Sequence, residues 1–129
     1  MPTYFPISSP LAFQCVSSDL RSLLWRGCGI VADFDIPQSH DVLRVQFDRV
    51  HVVRILDEMP LSTENEPASE GLIPNHFAYR VEGSLFWNSQ SQALRDTSPH
   101  AKHFRFITGF TCVDVISDHA PLLTVEAMP

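Results

Sequence analysis

Positive charge is in short supply in this chain of 129 residues: nine Lys and Arg stand against fifteen Asp and Glu, a net charge of −6. Without a basic field, the salt-sensitive attraction to phosphate backbones that dominates nucleic-acid binding has no source, so nucleic acid is not an expected partner. Cysteine is scarce. Cys15, Cys28 and Cys112 are an odd number with no CxxC pair, which is neither a disulfide framework nor a zinc signature and suits a reducing bacterial cytoplasm. No GxGxxG or Walker sequence offers a phosphate cradle, so no nucleotide cofactor, and no cofactor of any kind, is expected. Long apolar runs are also missing: uncharged apolar stretches such as residues 28–32 fall far short of the ~20 residues that cross a bilayer. The opening MPTYFPISSPLAF has no Lys or Arg ahead of its apolar residues and is broken by Pro2, Pro6 and Pro10, so it does not read as a secretory signal.

What is present suits one globular domain over residues 1–129. Hydrophobic residues make up 44% and charged residues 19%, a balance that supports a single core and not a disordered chain. Strand patterns dominate. In residues 42–47, Leu43, Val45 and Phe47 alternate with Arg44 and Gln46, the period of a strand with one buried face. Residues 50–56 have apolar side chains on both parities, and Phe47 and Val50 differ in parity, which predicts a bulge or hairpin at Asp48 and Arg49. Residues 76–82, 103–108, 111–117 and 122–125 read as further strands, with Gly109 and Phe110 as a hairpin turn between the second and third of these. One more strand is expected over residues 25–34, where Gly27 and Gly29 suggest a bulge or close backbone packing.

Helical signals are weaker. Ser84 is a candidate cap for a helix over LFWNSQSQALRD, stopped by Pro99, and Ser17 or Ser18 for one over DLRSLLW. The only shift in composition, PLSTENEPASEGLIP at residues 60–74, reads as one long internal loop, either a solvated linker or a lid. The expected fold is α+β: a mostly antiparallel sheet of five to seven strands, barrel-like in one version, with one or two short helices.

The C-terminal stretch HFRFITGFTCVDVISDHAPLLTVE, with LRVQFDRVHVVRILDE before it, resembles small bacterial proteins of the immunity-protein-like kind, in which an aromatic strand and a turn lead to a VDVIS-type strand. The resemblance covers about a third of the chain. It implies no chemistry and carries over no functional residue.

Candidate chemistry is sparse. His100 and His103 in HAKH supply two imidazoles three apart, fewer than the three or four ligands of a zinc site, and the missing ligand would have to come from His76, Asp114, Asp118 or His119. Asp33, Asp35, His40 and Asp41 crowd into VADFDIPQSHD. Asp33 and Asp35 share one face of a strand, and paired carboxylates can divide acid and base roles, although turn chemistry alone explains Asp and Pro there. No GxSxG elbow surrounds Ser84, which serves better as a cap, and Cys112 suits a buried strand position. Phe86 and Trp87 are adjacent, so both cannot face one way on a helix. Tyr4, Phe5 and Trp87 are therefore candidate partner contacts, unless the N-terminal arm folds over its own sheet edge.

These features favour a non-catalytic binding or protein-interaction module. Its partner would be another protein, as in an immunity-type pairing of an acidic surface with a basic toxin, or a second copy in a homodimer. The alternative is a small enzyme or ligand-binding barrel using His and Asp around a pocket. The cysteine pattern makes one immediate prediction: all three thiols are reduced in the native protein, and an intact-mass measurement with and without reductant that reveals an intramolecular disulfide contradicts the reducing-compartment reading.

Overall fold

The computed structural model describes residues 2–57 and 69–128. Among them nine strands form two antiparallel sheets, which lie against each other as an open sandwich and not as a closed barrel. The five-stranded sheet runs in the order β1 (Thr3–Pro6), β6 (Ala78–Glu82), β7 (Lys102–Ile107), β8 (Thr111–Ser117), β5 (Val52–Asp57). The four-stranded sheet runs β2 (Leu20–Arg26), β3 (Gly29–Asp35), β4 (Val42–Phe47), β9 (Leu122–Glu126). Two short helices, α1 (Leu85–Asn88) and α2 (Gln92–Thr97), link β6 to β7. No helix among the described residues is long and apolar enough to cross a membrane.

The strand count exceeds the expected five to seven because the single strand expected over residues 25–34 is instead part of the β2–β3 hairpin, and because the N-terminal arm adds β1 at a sheet edge. Gly27 adopts the left-handed conformation, at φ +63°, that turns β2 back into β3. Gly29 has the close packing expected of it, since a Cβ there would collide with the backbone at Phe47 and Asp48. No helix follows Ser17 and Ser18; the Ser18 hydroxyl instead donates to the Asp35 carbonyl at 2.6 Å, and residues 20–26 pair with β3. The parity conflict between Phe47 and Val50 also resolves differently, because the chain leaves one sheet for the other at that point. Val50 N–H bonds to the Cys28 carbonyl and His51 N–H to the Ile116 carbonyl, each at 2.8 Å.

The helix expected after Ser84 is divided in two. Ser84 accepts the Trp87 N–H and caps α1, while Ser91 accepts the Leu94 N–H and caps α2. Between them, the Ser89 hydroxyl and the Gln90 amide both donate to the Phe86 carbonyl, the side-chain competition that ends helices. Of residues 60–74, positions 60–68 lie outside the described residues. Leu72 and Ile73 are about half exposed, and Glu70 lies against β1, accepting the Tyr4 N–H at 2.7 Å and donating to the Pro2 carbonyl at 3.0 Å.

The core between the sheets contains Leu43, Val45, Phe47, Phe106, Val113 and Val115 as the alternation requires. Val52 departs from it. It is half-buried on the other side of the five-stranded sheet, beside Phe86 and Ile116. Phe106 is the hub of the core, its ring 6.0 Å from Phe34, 6.1 Å from Phe47 and 5.8 Å from Phe77. Replacing Phe106 by Ala is predicted to cost about 3 to 5 kcal/mol in chemical denaturation. A loss under ~1 kcal/mol, the range of surface changes, contradicts this packing.

Candidate functional site

The outer face of the five-stranded sheet carries polar groups where a sandwich would normally meet water. In the β7–β8 hairpin, Arg105 pairs with Asp114 and His103 with Ile116, while β5 sets Arg54 opposite Asp114 from the other side. Paired residues share a face, so three charged side chains converge beneath α1. Asp114 is fully buried. Its Oδ1 accepts from His103 Nε2 and Arg105 Nε, each at 2.7 Å, and its Oδ2 accepts from Arg54 Nε at 3.0 Å and Nη2 at 2.7 Å. Arg105 continues outward to the Tyr4 hydroxyl on β1, and the other nitrogen of His103, Nδ1, lies 2.7 Å from Ser84 Oγ. Phe86 closes the roof, with the Arg54 guanidinium 4.2 Å from its ring centre and the His103 ring 5.0 Å away.

The electrostatics follow from this geometry. Burial alone would raise the Asp114 carboxyl, but the His103 hydrogen bond and the Arg105 charge outweigh it and hold the group well below the usual carboxylate range. Burial dominates at His103 and lowers its pKa below the ordinary 6.5, so the imidazole is neutral at pH 7. With Asp114 ionised, the ring proton sits on Nε2, and Nδ1 is left to accept the Ser84 hydroxyl proton.

Serine, histidine and aspartate thus form one hydrogen-bonded chain, the logic by which a hydroxyl is activated as a nucleophile. Three features distinguish it from an exposed nucleophile. Ser84 is 0% exposed, its oxygen also accepts the Trp87 N–H as a helix cap, and Asp114 is shared with two arginines. In serine hydrolases the hydroxyl meets Nε2 and the carboxylate Nδ1, whereas here the two nitrogens exchange roles.

The residues singled out from the sequence are distributed over several places. Asp33 and Asp35 do share a face of β3, but each is held by an arginine from a neighbouring strand: Asp33 by Arg44 at 2.8 and 3.1 Å, Asp35 by Arg21 at 2.7 Å. His40 is exposed in the β3–β4 connection. His100 is exposed while His103 is buried with both ring nitrogens hydrogen-bonded, so the HAKH pair does not converge, and no cluster of three or more metal-ligating side chains occurs among the described residues. Tyr4 is not a surface contact: it is buried, because the N-terminal arm pairs with β6. Phe86 turns inward and Trp87 is left half-buried.

Two accessible recesses lie at the rim where β6 ends and β7 begins, the smaller of them sharing His103 with the buried network. One, about 200 Å³, is bounded by Glu82, Gly83, Trp87 and His103; the other, about 450 Å³, by Phe5, Phe104, Asp118 and Pro121. Arg80 and Lys102 line both. Sequence reading missed these two cations because nothing local distinguishes them, and only the pairing of β1, β6 and β7 brings them beside Phe5. No family model, curated protein or solved structure matches the chain, so the site is read from its own geometry.

A pH dependence follows from the buried imidazole. Because the native state holds His103 neutral below the pH at which an unfolded imidazole protonates, the unfolded chain binds more protons under acid, and stability falls with pH below about 6.5. The urea midpoint is expected to drop from pH 7 to pH 5, and His103→Gln should flatten that slope whatever it does to the midpoint at pH 7. An unchanged slope in the variant contradicts the assignment.

Proposed function

We propose that the protein is a non-catalytic binding module whose contact site is the rim of β6 and β7. The observation that carries this reading is a contrast in accessibility. Among the described residues, the constellation formed by Ser84, His103 and Asp114 has no exposed reactive atom, while the open recesses beside it carry two cations and, in the larger one, the apolar walls of Phe5, Phe104 and Pro121. Small-molecule and partner sites are typically concave, mostly apolar and oriented by a few polar groups.

An immunity-type contact with a basic protein is the second reading. It is favoured by the net charge of −6 and by the outermost strand β2, where Leu24 and Trp25 are 51% and 48% exposed. Such a contact would use the strand edge and leave the rim free.

The non-catalytic reading is tested on the unmodified protein with a fluorophosphonate that labels activated serines. After incubation at pH 7.5 the intact mass is expected to stay unchanged. An adduct mapped to Ser84 in folded protein overturns the reading and makes the buried chain an active site that opens transiently.

A further inference from the structure

We propose that the larger recess at the rim binds a small carboxylate with an aromatic or branched apolar body, an assignment that rests on the binding-module reading above. Its volume, about 450 Å³, falls in the range of roughly 300 to 1,000 Å³ typical of small-molecule sites. Phe104 is buried at the base, and Phe5, 37% exposed, forms a wall that a flat or branched group can cover. Phe5 and Phe104 both lie opposite Arg80 in the strand pairing, which places the three on one face of the sheet. The Arg80 guanidinium is held 4.3 Å from the Phe5 ring centre and bonds to Glu82, so it is oriented before any ligand arrives.

Charge then selects the ligand. Two carboxylates stand near this rim: Glu82 pairs with Arg80, and Asp118 is hydrogen-bonded to His51 Nε2 at 3.0 Å, a contact to an imidazole and not to a fixed cation. Lys102, on the neighbouring strand, is exposed and forms no ion pair among the described residues. A neutral apolar ligand would strip water from that ammonium and return nothing, whereas a carboxylate restores a charge-assisted hydrogen bond. A doubly charged phosphate would place more charge than Lys102 can pair among phenyl rings, proline and the Asp118 carboxylate, so the match is to a single negative charge.

The test is a titration of ¹⁵N-labelled full-length protein with 3-phenylpropanoate and, separately, with 3-phenylpropanamide, which keeps the shape and lacks the charge. The acid is expected to produce saturable shifts at the amides of Phe5, Arg80, Lys102 and Phe104, with the amide binding at least about tenfold more weakly. Lys102→Glu, at an exposed position, should abolish the response, and Lys102→Arg should retain it. Equal binding of acid and amide, persistence of the response in Lys102→Glu, or no saturable shift at the recess overturns the ligand assignment. The binding-module reading fails separately, through a phosphonate adduct on Ser84.

Discussion

One carboxylate holds the outer face of the five-stranded sheet together. Asp114 accepts four hydrogen bonds, from His103 and Arg105 on β7 and from Arg54 on β5. Through Arg105 it reaches Tyr4 on β1, and through His103 it reaches the cap of α1. Removing a charge of this kind from water is expensive, and its attraction to partners repays the penalty only when every lone pair is used. That condition explains why so many elements converge on it. The arrangement is poor evidence of net stability compared with an apolar core, but losing one partner would strand buried charge, typically a matter of about 3 to 5 kcal/mol, so the elements are bound to one geometry.

This constraint also accounts for the position of the helical segment. α1 is only four residues long, too short to be stable by itself, and what fixes it is the Ser84 oxygen between the Trp87 N–H and the His103 ring, with Phe86 over Arg54. Fixing α1 places Gly83 and Trp87 on the wall of the smaller recess. The side chains of the Ser84–His103–Asp114 chain fasten α1 to the sheet, and the accessible cations Arg80 and Lys102 stand beside them on β6 and β7. A buried polar network and an open, partly apolar rim are two products of one packing solution.

Parts of the candidate site were legible in the residues, although their connection was not. Ser84 reads as a helix cap and is one; His103 and Asp114 read as possible ligands and are partners instead. Once Gly109 and Phe110 are taken as the turn, every pair in the β7–β8 hairpin is set by its distance from that turn, and Arg105 must face Asp114. Arg54 lies 60 residues from Asp114, and no local pattern reports the distance between them. Asp33 and Asp35 show the opposite failing: their shared face is correctly read from strand parity, yet the arginines that occupy them come from β4 and β2.

What the residues determine by themselves is local and periodic: the alternation in residues 42–47, the turn at Gly109 and Phe110, the aromatic core positions and the cap at Ser84. Period, turn geometry and hydrogen-bonding capacity are properties of a few neighbouring residues, so they survive without knowledge of the fold. Tertiary structure alone decided that there are two sheets and not one, that residues 20–26 are a strand despite a serine cap signal, and that an acidic chain gathers two cations beside Phe5. Those outcomes depend on which distant strand lies opposite which, and pairing is chosen by burying the whole apolar surface at once, a global balance that no window of sequence contains.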